Sequence, residues 1–232
     1  MGKLNHFYSL LVVLIGLASC TQSPKSDDAV TSAPKEEKET TAGSTYTVDK
    51  SASIVEWIGT KVSGYHTGTV EIKSGELTVS NGNVTSGNFV LSTPTIIATG
   101  PPKVKAEANA KLTGHLHSGD FFDVEKFPEA TFAITSVKPF EGTMTATDDP
   151  REEKVNKYKI TNPTHTIGGN LTIKGIEKNI EFPAQITVSD ESVEAHAKFN
   201  IDRKDWGIVY PGKPDDLIRD AIHLGISIKA AK

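Results

Sequence analysis

An all-β fold, an antiparallel barrel of about eight strands with one short helix, is what this 232-residue chain predicts. Three observations carry that expectation: runs in which apolar and polar residues strictly alternate, turn-forming pairs at strand-length intervals, and one internal stretch that breaks the alternation. A sheet of many strands, each with one apolar face, must close on itself or pair with a second sheet. Closure at about eight strands leaves an interior that side chains fill or that one small ligand occupies. The faces opposite the apolar stripes carry Glu, Lys, His and Asn, the reverse of a lipid-facing barrel surface.

In chain order, residues 1–19 carry Lys3, an apolar run from Phe7 to Leu17 and small residues at the end, the build of a secretory signal. The run is shorter than the roughly 20 apolar residues needed to span a bilayer. Cys20, the only cysteine, follows Leu17-Ala18-Ser19. That tetrapeptide resembles a bacterial lipobox, which implies acylation of Cys20, an exported protein and a membrane anchor worth about 0.8 kcal/mol per buried methylene. A plain signal peptide with an incidental cysteine is the alternative. Residues 21–45 are dominated by Ser, Thr, Lys, Glu, Asp, Ala and Pro, and read as a flexible linker.

The folded domain is expected over residues 46–232. Alternating runs appear at Val70 and Ile72, at Leu77 and Val79, and at Phe89 and Leu91, with Lys73-Ser74-Gly75 and Asn81-Gly82-Asn83 read as turns. The stretch from Val104 to Phe122 loses the two-residue period, and a helix is expected near residues 109–117. Alternation returns at Phe132 and Ile134. The charged excursion from Asp148 to Lys154 reads as a loop. Leu171 and Ile173 lead into a Lys174-Gly175 turn, and Ile180 to Val188 alternate around Pro183, which argues for a bulge or an edge there. Val193 to Ile201 are apolar at every odd position, and residues 222–230 close the chain with Ile222, Leu224, Ile226 and Ile228 on one face. Between them a short helical turn is expected from Pro214 to Arg219, with Asp215 and Asp216 at its N-terminus.

A net charge of -4 removes the clustered basic face that nucleic acid would need. No Gly-x-Ser-x-Gly elbow, Walker-type loop or His-Glu-x-x-His is present, and Cys20 is the only thiol, so no catalytic residues are expected. His115 and His117 diverge on a helix, which argues against a metal pair. No cofactor is expected. Asp202, Arg203 and Asp205, before Trp206, read as a charged knot that pins a strand end.

Several segments together resemble the YceI-like family. They are Trp57-Ile58-Gly59-Thr60-Lys61, Gly64-Tyr65-His66-Thr67-Gly68, Leu112 to Phe122, Lys126-Phe127-Pro128-Glu129-Ala130-Thr131-Phe132, Gly169 to Gly175 and Asp202 to Gly207. The resemblance covers nearly all of Tyr46 to Lys232. It implies an extended, lipocalin-like barrel whose apolar cavity takes a long isoprenoid-like lipid, as a carrier or store in the cell envelope, and pairing into homodimers for some members. A barrel with a filled interior, acting as an interaction or stress module, is the alternative.

Such a cavity needs an aliphatic and aromatic wall with a few polar groups at its mouth. The candidates are Trp57, Phe89 and Leu91 from the first strands, Leu112 and Leu116 from the helix, and Phe121 and Phe122 after it. Phe132, Ile134, Phe199, Ile201 and Ile226 are added from the later strands. His66 and His115 are the candidates for the mouth.

Overall fold

A computed structural model describes residues 24–37, 42–142 and 157–232. Cys20 and the charged excursion at 148–154 lie outside the described residues. The main strands are β3 (Ser44–Val48), β4 (Ile54–Lys61), β5 (Gly64–Ser80), β6 (Asn83–Gly100), β7 (Glu129–Pro139), β8 (His165–Ile173), β9 (Ile176–Val188), β10 (Ser192–Asp202) and β12 (Asp216–Ala231). Two short pieces, β1 (Asp27–Asp28) and β2 (Val30–Ser32), precede them, and β11 (Gly212–Lys213) pairs with the start of β12.

Antiparallel ladders run β4-β5-β6-β7-β8-β9-β10-β12, and β12 pairs back onto β4, so eight strands close a barrel. β3 continues the wall beyond β4, pairing with the far ends of β5 and β12. The alternation sets which face turns inward. Ile222, Leu224, Ile226 and Ile228 of β12 pack with Phe199 and Ala197 of β10 and Phe182 and Ile180 of β9 in one apolar core. Asn81-Gly82 and Lys174-Gly175 make tight hairpins with both residues at positive φ (51° and 75°, 51° and 73°), the geometry that two-residue turns require.

Among the described residues the single α-helix, α1 (Ala106–His117), begins three residues before the expected start. Two tertiary bonds hold it: the Ala98 amide donates to Thr113 Oγ1 at 3.0 Å, and the His117 ring meets the Ile96 carbonyl at 2.8 Å.

Three sequence expectations are corrected. Lys73-Ser74-Gly75 is no turn, because β5 runs through it for 17 residues and absorbs the irregularity as register shifts against β6. Pro214 to Arg219 form no helix. Gly212, at φ 87°, and Lys213 turn back in a hairpin onto β12, and Asp216 spends its carboxylate on Lys61 and on the Ser63 amide.

The third correction concerns residues 21–45, expected as a flexible linker. Their described part is docked on the barrel. The β9–β10 ladder stops at Ala184 and Ala197, one residue short of Pro183, which has no N–H to extend it. Beyond that point β1 pairs in parallel with Phe199 and Asn200 of β10, and β2 pairs with Asn179, Ile180 and Glu181 of β9. The Ala29 amide donates to the Asn200 carbonyl at 2.9 Å. Lys35 exchanges two backbone bonds with the Asn170 side chain (3.1 and 2.7 Å), and Asn200 Nδ2 donates to the Pro24 carbonyl and to Asp28. A polar segment that cannot bury its own core is thus held by backbone groups that the barrel leaves unpaired.

The docked segment also covers part of the outer wall. His223 sits on the polar phase of β12, yet it is only 3% exposed. Its Nδ1 lies 3.1 Å from Asn200 Oδ1, and the Tyr158 ring stands edge-on over it at 5.4 Å. Asn170, Asn179 and Asn200 are buried on the same outer side of the wall, and Asn179 Nδ2 donates to both Thr135 and Asn170.

Candidate functional site

Inside the barrel are two adjoining apolar chambers of about 190 and 140 Å³. Val55, Leu91, Leu171 and Leu224 line both, so at most a layer of side chains separates them. Their combined size reaches the lower end of the ~300–1,000 Å³ usual for small-molecule sites. Along β12 the lining runs from Ile218 to Ile228, which at ~3.4 Å per residue and a tilt near 40° is about 25 Å.

All twelve wall candidates line one chamber or the other. Phe89, Phe132, Ile134, Phe199 and Ile226 belong to the smaller chamber, of about 140 Å³, the tail chamber. There Phe182 and Phe199 stack at 4.0 Å with ring planes 15° apart, and Phe132 stands tilted against Phe182 at 5.8 Å. Trp57, Leu112, Leu116, Phe121, Phe122 and Ile201 belong to the larger, of about 190 Å³, the head chamber, and Leu91 serves both. Leu112 and Leu116 share a helix face by their four-residue spacing, and the turn after α1 places Phe121 and Phe122 beside them.

The two mouth candidates separate. His66 lines the head chamber; burial and the neighbouring Lys61 charge push its pKa down, against weaker support from the Gly100 carbonyl and Asp216. The ring is therefore neutral at pH 7. His115 does not line either chamber. It bonds Asp120 at 2.9 Å and stands edge-on to Phe121 and Tyr210 at 4.9 and 4.8 Å, which makes it a clamp that fixes the rim from outside.

Sequence reasoning missed several lining residues, among them Arg203, Trp206, Thr93 and Ile208. Trp206 is fully buried in the short 3₁₀ turn Arg203–Trp206 and donates through Nε1 to the Leu171 carbonyl at 2.9 Å. The charged knot does pin a strand end, but with a different partner: Arg203 bonds Asp220 and the carbonyls of Arg219 and Ile208, whereas Asp202 caps the Lys204 amide. The other lining cation, Lys61, pairs with Asp216, whose pKa that bond and the Ser63 amide lower to about 2. Two polar atoms remain without partners in the head chamber, Trp57 Nε1 and His66 Nδ1. Among the described residues no group of three or more His, Cys, Asp or Glu side chains gathers to hold a metal.

A closed antiparallel barrel around an apolar interior, with a helix over one end, defines a binding-type barrel. Within that class the chain belongs to the YceI-like family, whose domain matches residues 46–230. UPF0312 proteins of two Pseudomonas putida strains, F1 and KT2440, are each 28% identical over 130 residues, 53% of this chain and 55% of theirs. The chain thus spans about half the length of the curated relatives it matches. BcnA of Burkholderia cenocepacia has the same fold, with a TM-score of 0.56 and 15% identity over 79% of this chain and 99% of that one. So does a polyisoprenoid binding domain from Saccharophagus degradans implicated in plant cell wall breakdown. Its TM-score is 0.55 at 10% identity, covering 80% of this chain and 97% of that one.

Proposed function

We propose that this protein holds one long isoprenoid-type lipid in its barrel and carries or stores it without transforming it. The observation that carries the reading is the pair of adjoining chambers, whose walls are almost entirely hydrocarbon along about 25 Å. An aqueous solute would have nothing to bond there, whereas an unbranched or methyl-branched chain gains about 0.8 kcal/mol for each methylene it hides. The head of that lipid is uncharged, because both cations of the head chamber are already committed, Lys61 to Asp216 and Arg203 to Asp220. The polyisoprenoid binding of the Saccharophagus degradans domain supports the same ligand class. Acylated Cys20 would tether the barrel to an envelope membrane, within reach of lipid donors and acceptors.

Organic extraction and mass spectrometry of the full chain, produced with its own signal in an exporting host and washed free of detergent, tests this. The expected result is a stoichiometric isoprenoid. Empty protein that also takes up no added quinone or polyprenyl lipid contradicts it. Mass analysis of the mature N-terminus tests the anchor: a diacylglyceryl adduct on Cys20 is expected, and a free thiol would exclude it.

A further inference from the structure

The two ends of the barrel carry different turns. At the tail end the β5–β6 hairpin turns through Ser80-Asn81-Gly82-Asn83 and the β9–β10 hairpin through Ser189-Asp190-Glu191-Ser192, polar throughout as turns ordinarily are. At the head end the turns are apolar. Val62 tips the β4–β5 hairpin with Tyr65 just beyond it, Leu217 stands in the β11–β12 hairpin, and Val209 lies in the loop before that hairpin. These four side chains are 43%, 44%, 47% and 62% exposed. They belong to one patch: the Val62 amide donates to the Leu217 carbonyl at 3.1 Å, the Ile218 amide to the Pro211 carbonyl at 2.9 Å, and the neighbouring Tyr210 ring packs on Phe121 at 5.5 Å.

The patch is continuous with the cargo site. Lys61, Ile208 and Ile218 line the head chamber, and each is the chain neighbour of one exposed side chain, Val62, Val209 and Leu217. One residue faces the cargo and the next faces outward, so an isoprenoid leaving between these turns meets apolar surface without a break. The charges nearest the tips, Lys61 and Asp216, are paired with each other, which leaves apolar contact as the means of attachment.

The start of the described chain shows what covers this patch. Asn200 Nδ2 donates to the Pro24 carbonyl, two residues before β10 ends on the head side. Cys20 stands four positions before Pro24, at most about 14 Å of extended chain. An acyl anchor at Cys20 therefore holds the barrel close to a bilayer, with the head end within reach of its surface. Aliphatic tips on separate turns with a tyrosine beside them suit insertion among lipid head groups, where Tyr is enriched and binding grows with buried apolar area.

We propose that Val62, Tyr65, Val209 and Leu217 form a membrane-docking rim, through which the head chamber takes its lipid directly from a phospholipid bilayer. This rests on the lipid-holding function and the Cys20 anchor proposed above, and adds the face through which cargo passes.

The test uses the full chain, exported and freed of cargo, with phosphatidylcholine vesicles carrying geranylgeraniol. Hydrogen exchange is read at both ends of the barrel, and uptake of the prenyl alcohol is timed by mass spectrometry. On vesicles the amides of residues 61–66 and 208–218 should exchange about tenfold more slowly, while those of 80–83 and 189–192 keep their rates. Val62→Ser/Val209→Ser/Leu217→Ser should remove that protection and slow uptake at least about tenfold, the factor that one apolar side chain withdrawn from water supplies. Final occupancy should be unchanged, since none of the three lines a chamber. Val209→Ser alone, at the most exposed position, should give a smaller loss of the same kind, and it serves where the triple variant does not fold. The anchor is common to all variants, so differences between the two ends report the rim. Protection at the polar end, or at neither end, overturns the docking rim, and so does uptake that the substitutions leave unchanged. Rim protection on vesicles without any uptake of prenyl alcohol keeps the rim and overturns the lipid-holding function.

Discussion

The two chambers are built by different means. Every side chain lining the tail chamber comes from a strand, so its wall is what any barrel in correct register supplies. The head chamber borrows Leu112 and Leu116 from α1, Phe121 and Phe122 from the following turn, and Arg203, Trp206 and Ile208 from the irregular segment after β10. Of the two chambers, only the head chamber is lined by residues with buried polar atoms left unpartnered, Trp57 and His66. The difference teaches that hydrophobic capacity resides in the regular wall and selectivity in what covers its end.

The comparison breaks most visibly through the tail chamber. Phe199 is 1% exposed and stacked on Phe182, so Phe199→Ala should cost about 3–5 kcal/mol in urea denaturation. A loss under about 1 kcal/mol would mean that this chamber is already loosely packed. On the outer side of the wall, burial first and the Lys198 charge second lower the His223 pKa from 6.5 to about 4. The unfolded chain therefore binds a proton that the folded one refuses. Stability should be full above pH 6.5, fall as pH drops toward about 4, and level off below, by roughly 3 kcal/mol at most. His223→Gln should flatten that part of the profile.

Leu224→Phe, at the boundary between chambers, should cost about 1–3 kcal/mol from overpacking and cut the longest chain retained to what the head chamber admits. Unchanged chain-length selection would mean that the chambers act separately. The smallest effect is expected from the docked N-terminal segment. Ala29→Pro deletes the amide bonded to Asn200, and a loss of about 1 kcal/mol, with faster hydrogen exchange on neighbouring β10 amides, is the expected readout.

Much of the strand wall is legible in the sequence because alternation reports directly which side chains face inward, and that is why Phe89, Leu91, Phe132, Ile134, Phe199, Ile201 and Ile226 line a chamber, whereas Leu112 and Leu116 follow from helical spacing. What stayed hidden depended on partners far along the chain. Lys73-Ser74-Gly75 uses the residues of a turn to make a bulge, and only the ladder to β6 distinguishes the two. Asp215-Asp216 suits a helix start, but Lys61, more than 150 residues earlier, claims the second carboxylate. The N-terminal segment reads as disordered on composition, since nothing local shows that β9 and β10 part and leave unpaired backbone for it. His115 carried a plausible residue type at the rim, but its ring is spent on Asp120, Phe121 and Tyr210. Trp206 was noticed as part of a structural knot, and its second role as chamber wall required the return of that segment under the barrel end.

The central claim is that the chambers act as one continuous tunnel for an isoprenoid chain. Its most direct test is affinity as a function of prenyl number, measured with a homologous series of prenyl alcohols on the delipidated protein. Affinity should climb with each added unit, by up to ~0.8 kcal/mol per methylene newly buried, until about 25 Å of tunnel is filled, and then stay flat. A plateau already at the shortest members, those that fit the head chamber alone, would contradict it.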